Sequence, residues 1–315
     1  MLSISLYFWP EHTTLPVHLS SAYPFMPILI SPTSFTHIYF SDIFTGIFSD
    51  GSLSAVDASG NPVYCTPFAL SVGELEARRF DCDGKFIEIT PSAAGLPTIR
   101  DYDVLIYCTS WLANAMFDEK EKNLSRNLRF TARDFFDFSK RGIGGAQYDS
   151  LTQSLERLAG SRLATNIPHP SGINECDSFN LIRYEAEPDC DGRIETVNIE
   201  LPEKLYRFAT DWTHVCAMHP DYFSLSPLRR LIYILAKIYC GEWQPWTISI
   251  NELHQLTGGT SPFRKFKQLV QGLKDNPIPE FRIEVDAQNA TPTFYRLAQQ
   301  NPSFVPGMTS TESTL

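Results

Sequence analysis

Positively charged and amide side chains are concentrated in one short stretch of the sequence, residues 261–274. No acidic residue interrupts this stretch, although the whole chain carries a formal net charge of −10. Arginine and lysine can bind phosphate or guanine, and glutamine can pair with adenine. The stretch is therefore predicted to bind DNA, and a solvated basic surface is the alternative. The candidate residues are Arg264, Lys265, Lys267, Gln268, Gln271 and Lys274.

The elements that must position these side chains are two helices joined by a glycine turn. Asn251 is predicted to cap a short helix that ends at Leu256, and residues 257–260 contain two adjacent glycines. Ser261 is predicted to cap a second helix, with Pro262 at its first position. Four apolar residues of this helix recur at spacings of three and four, which predicts one buried face. They are Phe263, Phe266, Val270 and Leu273.

A helix, a turn and a basic helix form the pattern of a helix-turn-helix, whose second helix enters the major groove of DNA. The pattern is predicted twice along the chain, and the tripeptide Leu-Ile-Tyr occurs in both copies, at 105–107 and 231–233. The first copy has predicted helices at 101–116, 131–139 and 146–159, and predicted strands at 127–130, 162–167, 179–185 and 195–201. Besides the helix pair, the second copy has a predicted helix at 227–240 and predicted strands at 247–250, 281–285 and 293–297.

A strand before the helix pair and a two-stranded wing after it make each copy a winged helix-turn-helix. In the first copy the wing is predicted between the strands at 162–167 and 179–185. The predicted fold class is α+β, with two tandem winged helix-turn-helix domains and a poorly structured N-terminal leader. The predicted divisions are a partly disordered leader and entry segment at 1–67, a first domain at 68–225, a second domain at 226–300 and a disordered tail at 301–315.

The two copies offer different side chains to DNA. The first supplies hydroxyls, amides and few charges, so it is predicted to serve dimerisation, weaker DNA contact, or both. Its candidate residues are Lys140, Arg141, Gln147, Ser150, Gln153, Ser154 and Arg157. The second copy is predicted to hold DNA more strongly, with Arg282 acting from its wing.

Charge, cysteine content and missing motifs exclude several classes of protein. The acidic balance argues against indiscriminate coating of nucleic acid, but residues 226–300 carry nine cations and six anions, so the sign reverses toward the C-terminal part. Seven cysteines without a C-x-x-C pair indicate a reducing, cytoplasmic protein. No phosphate-binding loop, H-x-H pair or membrane-spanning run is found. We therefore expect no enzymatic activity, no cofactor, no metal and no membrane.

Seven short segments together resemble the plasmid replication initiator protein A family. The resemblance runs from about residue 68 to about residue 296 and is specific as a set. It is carried by IEITPS (87–92), DVLIYC (103–108), RFTA (129–132), RGIGG (141–145) with Tyr148, LAG (158–160), YFSL (222–225) and RRLIY (229–233).

The resemblance implies a protein with two winged helices that binds repeated sequences at a plasmid origin. Such a protein promotes duplex opening, recruits the host helicase and host initiator proteins, and contributes to plasmid copy control. It also implies a homodimer in equilibrium with a monomer, and repression of the protein's own promoter. The segment before Tyr39 has no counterpart in the family, and a start codon misassigned upstream of the true one is an alternative explanation for it.

Two other functions remain open at this point. A dimeric winged-helix transcriptional repressor without an initiator role would use the same helices. A nicking enzyme of rolling-circle replication would need a tyrosine nucleophile beside paired metal-binding histidines, which the sequence lacks.

Overall fold

The structure of this protein is a computed structural model. It describes residues 66–82, 85–117, 124–166, 177–210, 215–240, 244–258, 261–286 and 288–297, and places two short segments, 28–29 and 38–41, in strands. The predicted tail at 301–315 lies outside the described residues.

Helices and strands are interspersed along the described chain. The helices are α1 (Tyr102–Phe117), α2 (Ala132–Phe138), α3 (Gly145–Gly160), α4 (Glu203–Ala209), α5 (Pro227–Tyr239), α6 (Ile250–Leu256) and α7 (Phe263–Gln271). The strands are β1 (Ile28–Leu29), β2 (Ile38–Ser41), β3 (Arg78–Cys82), β4 (Lys85–Thr90), β5 (Asn127–Thr131), β6 (Arg162–Thr165), β7 (Asp177–Asn180), β8 (Arg183–Pro188), β9 (Ile194–Glu200), β10 (Val215–Met218), β11 (Trp246–Thr247), β12 (Phe281–Val285) and β13 (Pro292–Arg296). Short 3-10 helices occupy Pro220–Ser224 and Gly272–Lys274.

One arrangement of elements occurs twice. In each case a helix, a strand and two further helices are followed by an antiparallel hairpin, and the last strand of the hairpin lies between its partner and the first strand. We call α1, β5, α2, α3, β8 and β9 the first unit, with strand order β5-β9-β8. We call α5, β11, α6, α7, β12 and β13 the second unit, with strand order β11-β13-β12.

Capping residues fix where the short helices begin. The Thr131 side chain accepts a hydrogen bond from the Asp134 backbone N–H, and the Asp134 carboxylate accepts one from the Thr131 backbone N–H, which starts α2 as predicted. Ser249 and Glu252 form the same reciprocal pair and start α6 at Ile250. The predicted cap at Asn251 is therefore wrong, because the serine two residues earlier already satisfies the first orphan N–H groups.

The predicted pairing of the strands at 162–167 and 179–185 is confirmed only in part, between β6 and β7, and the hairpin of the first unit is formed by other strands. The strand predicted at 179–185 is broken at Leu181 and Ile182, which are buried while the chain passes from one sheet to another. Before the break, β7 pairs with β6 in a separate sheet of order β3-β4-β6-β7. After the break, β8 pairs with β9, so the first unit's hairpin turns at residues 189–193 instead.

Two strands lie within the segment predicted to be a leader. β1 pairs in parallel with β5, and β2 pairs antiparallel with β10. The prediction of a poorly structured leader does not hold for these six residues, because β1 extends the sheet of the first unit and β2 forms a two-stranded sheet with β10. The other residues before Thr66 lie outside the described residues.

A buried ion pair joins the two units. The Asp103 carboxylate of α1 accepts hydrogen bonds at 2.6 and 2.7 Å from Arg230 of α5, and neither side chain has appreciable exposure. Arg230 also donates to the backbone oxygens of Phe223 (2.5 Å) and Leu225 (3.0 Å). The guanidinium group of Arg230 therefore binds both the first unit and the segment that connects the two units.

Candidate nucleic-acid interface

The helix α7 lies on the surface of the second unit with one side packed inward. Phe266 and Val270 are fully buried, and Leu273 in the following 3-10 turn is buried beside them. Arg264, Lys265 and Gln268 are exposed. The predicted amphipathic character of this helix is confirmed, and its cationic side faces solvent.

Phe263 does not share the buried side, contrary to the sequence analysis. It is 41% exposed, and its ring meets the edge of the His254 ring at 5.5 Å between centroids. The helix begins at this residue, because Pro262 has an extended ψ of 134° and stands as the N-cap without a side-chain hydrogen bond. The predicted cap at Ser261 is thus displaced by one residue.

The turn between α6 and α7 is fixed by side chains from α6. The His254 ring packs edge-on against Phe266 at 4.7 Å, and its Nε2 lies 3.2 Å from the Ser261 carbonyl oxygen. Thr257 is fully buried and donates its hydroxyl to the His254 carbonyl. Gly258 has φ +56°, a conformation that glycine adopts without strain. The orientation of α7 relative to α6 is therefore determined by packing and hydrogen bonds.

The segment after α7 is tied to α5. Arg229 donates to the backbone oxygens of Asn276 and Pro277, each at 2.8 Å. Glu280, in a left-handed conformation with φ +65°, accepts hydrogen bonds from the Tyr233 hydroxyl and from Lys237. Burial lowers the pKa of Lys237, and the Glu280 carboxylate partly opposes that effect. Both ends of α7 are thus anchored to the rest of the second unit.

The cations around α7 are available for an external partner. Within the described part of the chain, no carboxylate forms an ion pair with Arg264, Lys265, Lys267 or Lys274. Lys267 and Gln271 are half-buried at the edge of the helix, and Lys274 is exposed in the 3-10 turn. Four of the six predicted residues on or beside this helix are therefore exposed, and the other two are half-buried. 

Arg282 is less available than the sequence suggested. Its guanidinium group lies over the Tyr295 ring at 4.4 Å and pairs with Glu284 at 2.6 Å on the same strand. The side chain is exposed, but its charge is balanced locally. An attractive field for phosphate must therefore come mainly from α7 and the turn after it.

Two of the first unit's predicted DNA contacts are buried instead. Arg157 donates to both oxygens of Asp101, at 2.7 and 2.8 Å, and the Ser154 hydroxyl donates to the same carboxylate at 2.6 Å. Asp101 is fully buried, and its hydrogen bonds raise the pKa of Arg157. The prediction that Ser154 and Arg157 face outward is wrong, because the buried carboxylate requires hydrogen-bond donors.

Arg141 is similarly occupied within the chain. It donates to Asp103 at 2.8 Å and to the Arg100 carbonyl at 3.0 Å, and its side chain is nearly buried. Lys140 is exposed and lies 3.2 Å from Asp221. At the glycine turn of the first unit, Lys140 is therefore the exposed cation, and its charge is partly neutralised by Asp221.

The outward side of α3 is neutral to acidic. Gln153 is exposed there, while Gln147 and Ser150 are half-buried. Asp149 and Glu156 are exposed on the same helix, whose only basic residue is the buried arginine described above. The two units thus share one arrangement of elements but present opposite charge on the last helix before the hairpin.

Leu269 and Gly272 were not identified from the sequence as part of this surface. Leu269 is 49% exposed beside Gln268. It fits the three-and-four spacing of the buried set as well as a buried residue would, so periodicity alone does not reveal its exposure. In the sequence, the exposure of Leu269 is indicated only by its position at the border of the helix's apolar stripe.

Other kinds of site are not found in the described residues. The described part of the chain contains no group of three or more histidine, cysteine, aspartate or glutamate residues placed to hold a metal ion. Among the same residues, no helix is both long and apolar enough to span a membrane.

The family model that matches this sequence is that of replication initiator protein A, over residues 61–283. The chain belongs to this family. A protein of Wigglesworthia glossinidia brevipalpis, described provisionally as a replication protein, is 31% identical over 232 residues, or 72% of this chain and 84% of that protein. The resemblance inferred from the seven segments is confirmed, and it places the chain among replication initiators.

Two crystal structures of RctB share the fold of this family member. RctB domains 2–3, residues 155–483, match with a TM-score of 0.52 at 11% identity, over 73% of this chain and 95% of that one. Selenomethionine derivatives of domains 2 and 3 match with a TM-score of 0.53 at 11% identity, over 74% and 94% of the chains. The prediction of a fold that mixes α and β elements is confirmed.

Proposed function

We propose that this chain is a plasmid replication initiator that binds repeated sequences at its origin through two tandem winged helix-turn-helix domains. In this proposal α2 with α3 and α6 with α7 are the two helix-turn-helix pairs, and the hairpins β8–β9 and β12–β13 are the wings. The shared strand order of the two units supports the assignment, because in both the hairpin pairs with the strand that precedes the helix pair. Membership of the initiator family supports the role in replication.

The second domain makes the main DNA contact, and α7 enters the major groove. One observation carries this step: α7 exposes Arg264, Lys265 and Gln268 in a chain of net charge −10, while Phe266 and Val270 on its inward side are fully buried. Nine residues of helix span about 14 Å, enough to cross a groove about 12 Å wide. Lys267 and Lys274 lie at the helix border, where phosphate contacts are expected.

The first domain has a different role in this proposal. Its outer helix exposes Asp149 and Glu156, and a phosphate backbone would be repelled by both. Weaker DNA contact is then limited to Lys140, Gln147, Ser150 and Gln153. Because this surface is not expected to bind DNA strongly, it is free to form a dimer that is in equilibrium with the monomer.

The remaining parts of the proposal rest on the family. The bound protein would promote opening of the duplex, recruit the host helicase and host initiator proteins, and repress its own promoter. It would act in the cytoplasm and without enzymatic activity of its own.

Charge reversal on α7 tests the DNA contact. Replacing Arg264 and Lys265 by glutamate should weaken binding to DNA that flanks the protein's own gene by about 100-fold or more, since each lost contact costs about 1–3 kcal/mol. Arg162→Glu with Arg207→Glu is the matched control, because it makes the same charge change at exposed positions outside both helix pairs. Equal losses in the two double variants would refute the assignment of α7.

Plasmid maintenance separates an initiator from a repressor that only binds DNA. A plasmid that carries this gene with its flanking DNA should be maintained in a suitable host, and the α7 variant should not maintain it. A wild-type protein that binds the flanking DNA and represses its promoter, yet never supports maintenance, would favour the repressor.

A further inference from the structure

Leu269 interrupts the polar character of the exposed side of α7. It lies one helical turn after Lys265 and directly after Gln268, both of which are exposed. The neighbouring Val270 is fully buried, whereas half of the Leu269 side chain remains in contact with solvent. The core of the second unit is already filled by the inward residues of α7, so the exposed half of this leucine is available to an external partner.

Gly272 leaves room for a partner to approach this leucine. It follows three residues after Leu269, with φ −70° and ψ −11°, a conformation open to any residue. A Cβ atom at this position would meet no other atom within 4 Å. Neither the backbone nor the packing of the described chain therefore requires glycine, which is unfavourable in a helix. Glycine is used where another molecule must come close to the backbone.

We propose that Leu269 contacts the C5-methyl group of a thymine in the DNA sequence that this protein recognises. This inference rests on the proposed function, in which α7 lies in the major groove. Among the base edges of the major groove, the thymine methyl is the apolar group, and apolar side chains are its usual partners. Gln268, the preceding residue, can pair with adenine. The two side chains together select A·T base pairs at adjacent positions of the site.

Charge complementarity favours a duplex over a protein as the partner of this surface. Arg264 and Lys265 are exposed on the same helix, and the described chain supplies neither with a carboxylate partner. A polyanion therefore satisfies the cations and brings base edges to the leucine in one contact. A protein partner is the competing occupant, and the experiment below separates the two.

Replacement of thymine by uracil isolates the methyl group. The probe is a duplex selected by the wild-type protein from random-sequence DNA, then synthesised with single thymine-to-uracil changes that keep every base pair. Wild-type affinity should fall roughly fourfold at one or two positions, which corresponds to one buried methyl group. Leu269→Ala should bind the thymine duplex with the same reduced affinity and show no further loss with uracil.

Leu297→Ala is the matched control, because Leu297 is also a leucine of the second unit, is 50% exposed and lies outside α7. It should retain the full difference between thymine and uracil. Wild-type protein that binds the selected duplex but shows no uracil effect at any position would overturn the inference and leave the proposed function intact. Failure to select any duplex would refute both. A Leu269→Ala variant that changes self-association, with unchanged discrimination against uracil, would assign the leucine to a protein contact and overturn the inference.

Discussion

Replacing Asp103 by alanine should strongly destabilise the protein and separate the unfolding of its two units. The Asp103 carboxylate is fully buried and accepts hydrogen bonds from Arg230 and Arg141. Arg100 lies near the same cluster, where burial and the charge of Arg230 lower its pKa. Cations therefore already outnumber carboxylates around this position, and loss of Asp103 leaves two nearly buried guanidinium groups without their anion.

The expected magnitude follows from the cost of breaking a buried ion pair at one partner, about 3–5 kcal/mol. That is a large part of the roughly 5–15 kcal/mol that separates folded from unfolded proteins. For an unfolding slope of about 2–3 kcal/mol per molar urea, the midpoint should fall by about 1–2 M. Because Arg230 belongs to α5 and Asp103 to α1, the loss should fall on the contact between the units.

Urea unfolding followed by circular dichroism measures the midpoint and the number of transitions. Asp149→Ala is the control, because it removes an exposed carboxylate of the first unit and should change stability by less than about 0.5 kcal/mol. Adding Arg230→Met to Asp103→Ala removes one of the stranded charges and should recover part of the loss. An Asp103→Ala midpoint equal to that of Asp149→Ala would refute the reasoning.

Two further outcomes test the buried groups of the first unit and of the connection between units. Arg157→Leu leaves the buried Asp101 carboxylate without its cation, so it should cost about 3–5 kcal/mol of stability in urea unfolding. The folded variant should keep its DNA affinity within about twofold. A specific loss of DNA affinity would instead support the predicted contact between Arg157 and DNA. Burial raises the pKa of Tyr222, so the folded state keeps this phenol neutral while the unfolded chain ionises it above pH 10, and stability is lost as pH rises. Between pH 10 and pH 11, Tyr222→Phe should therefore lose about 1 kcal/mol less stability than wild type, and parallel pH profiles would contradict this expectation.

Most helices and strands could be predicted from the sequence, because their signals are local. The α1 helix, predicted at 101–116, has a long apolar run, and α2 has a capping threonine three residues before an acid. The β12 strand, predicted at 281–285, has the same bounds in the structure. The hairpin of the first unit could not be assigned in this way, since pairing of β8 with β9 depends on a sheet that also includes the distant β5.

The exposed side of α7 was predictable for a similar reason. Phe266, Val270 and Leu273 define a buried stripe, and the cations fall opposite it. In α3 the same reasoning failed for Ser154 and Arg157, because both are hydrogen-bonded to the buried Asp101 carboxylate just before α1. Asp101 lies 53 residues before Ser154 and 56 residues before Arg157 in the chain. Arg141 was misjudged on the same ground, since its partner Asp103 lies 38 residues away. Periodicity identifies a polar side of a helix but does not reveal a distant buried carboxylate that pairs with it.

The position of buried carboxylates explains why two similar units would differ in function. In the first unit, Asp101 and Asp103 draw Arg157 and Arg141 into the interior, so the cations nearest α3 are neutralised before any DNA can meet them. In the second unit, the described residues place no carboxylate against the cations of α7, and Arg264 and Lys265 remain exposed. The same Asp103 also fixes the second unit against the first through Arg230. One acidic side chain therefore both removes positive charge from the first unit's turn and determines where the second unit can present its basic helix.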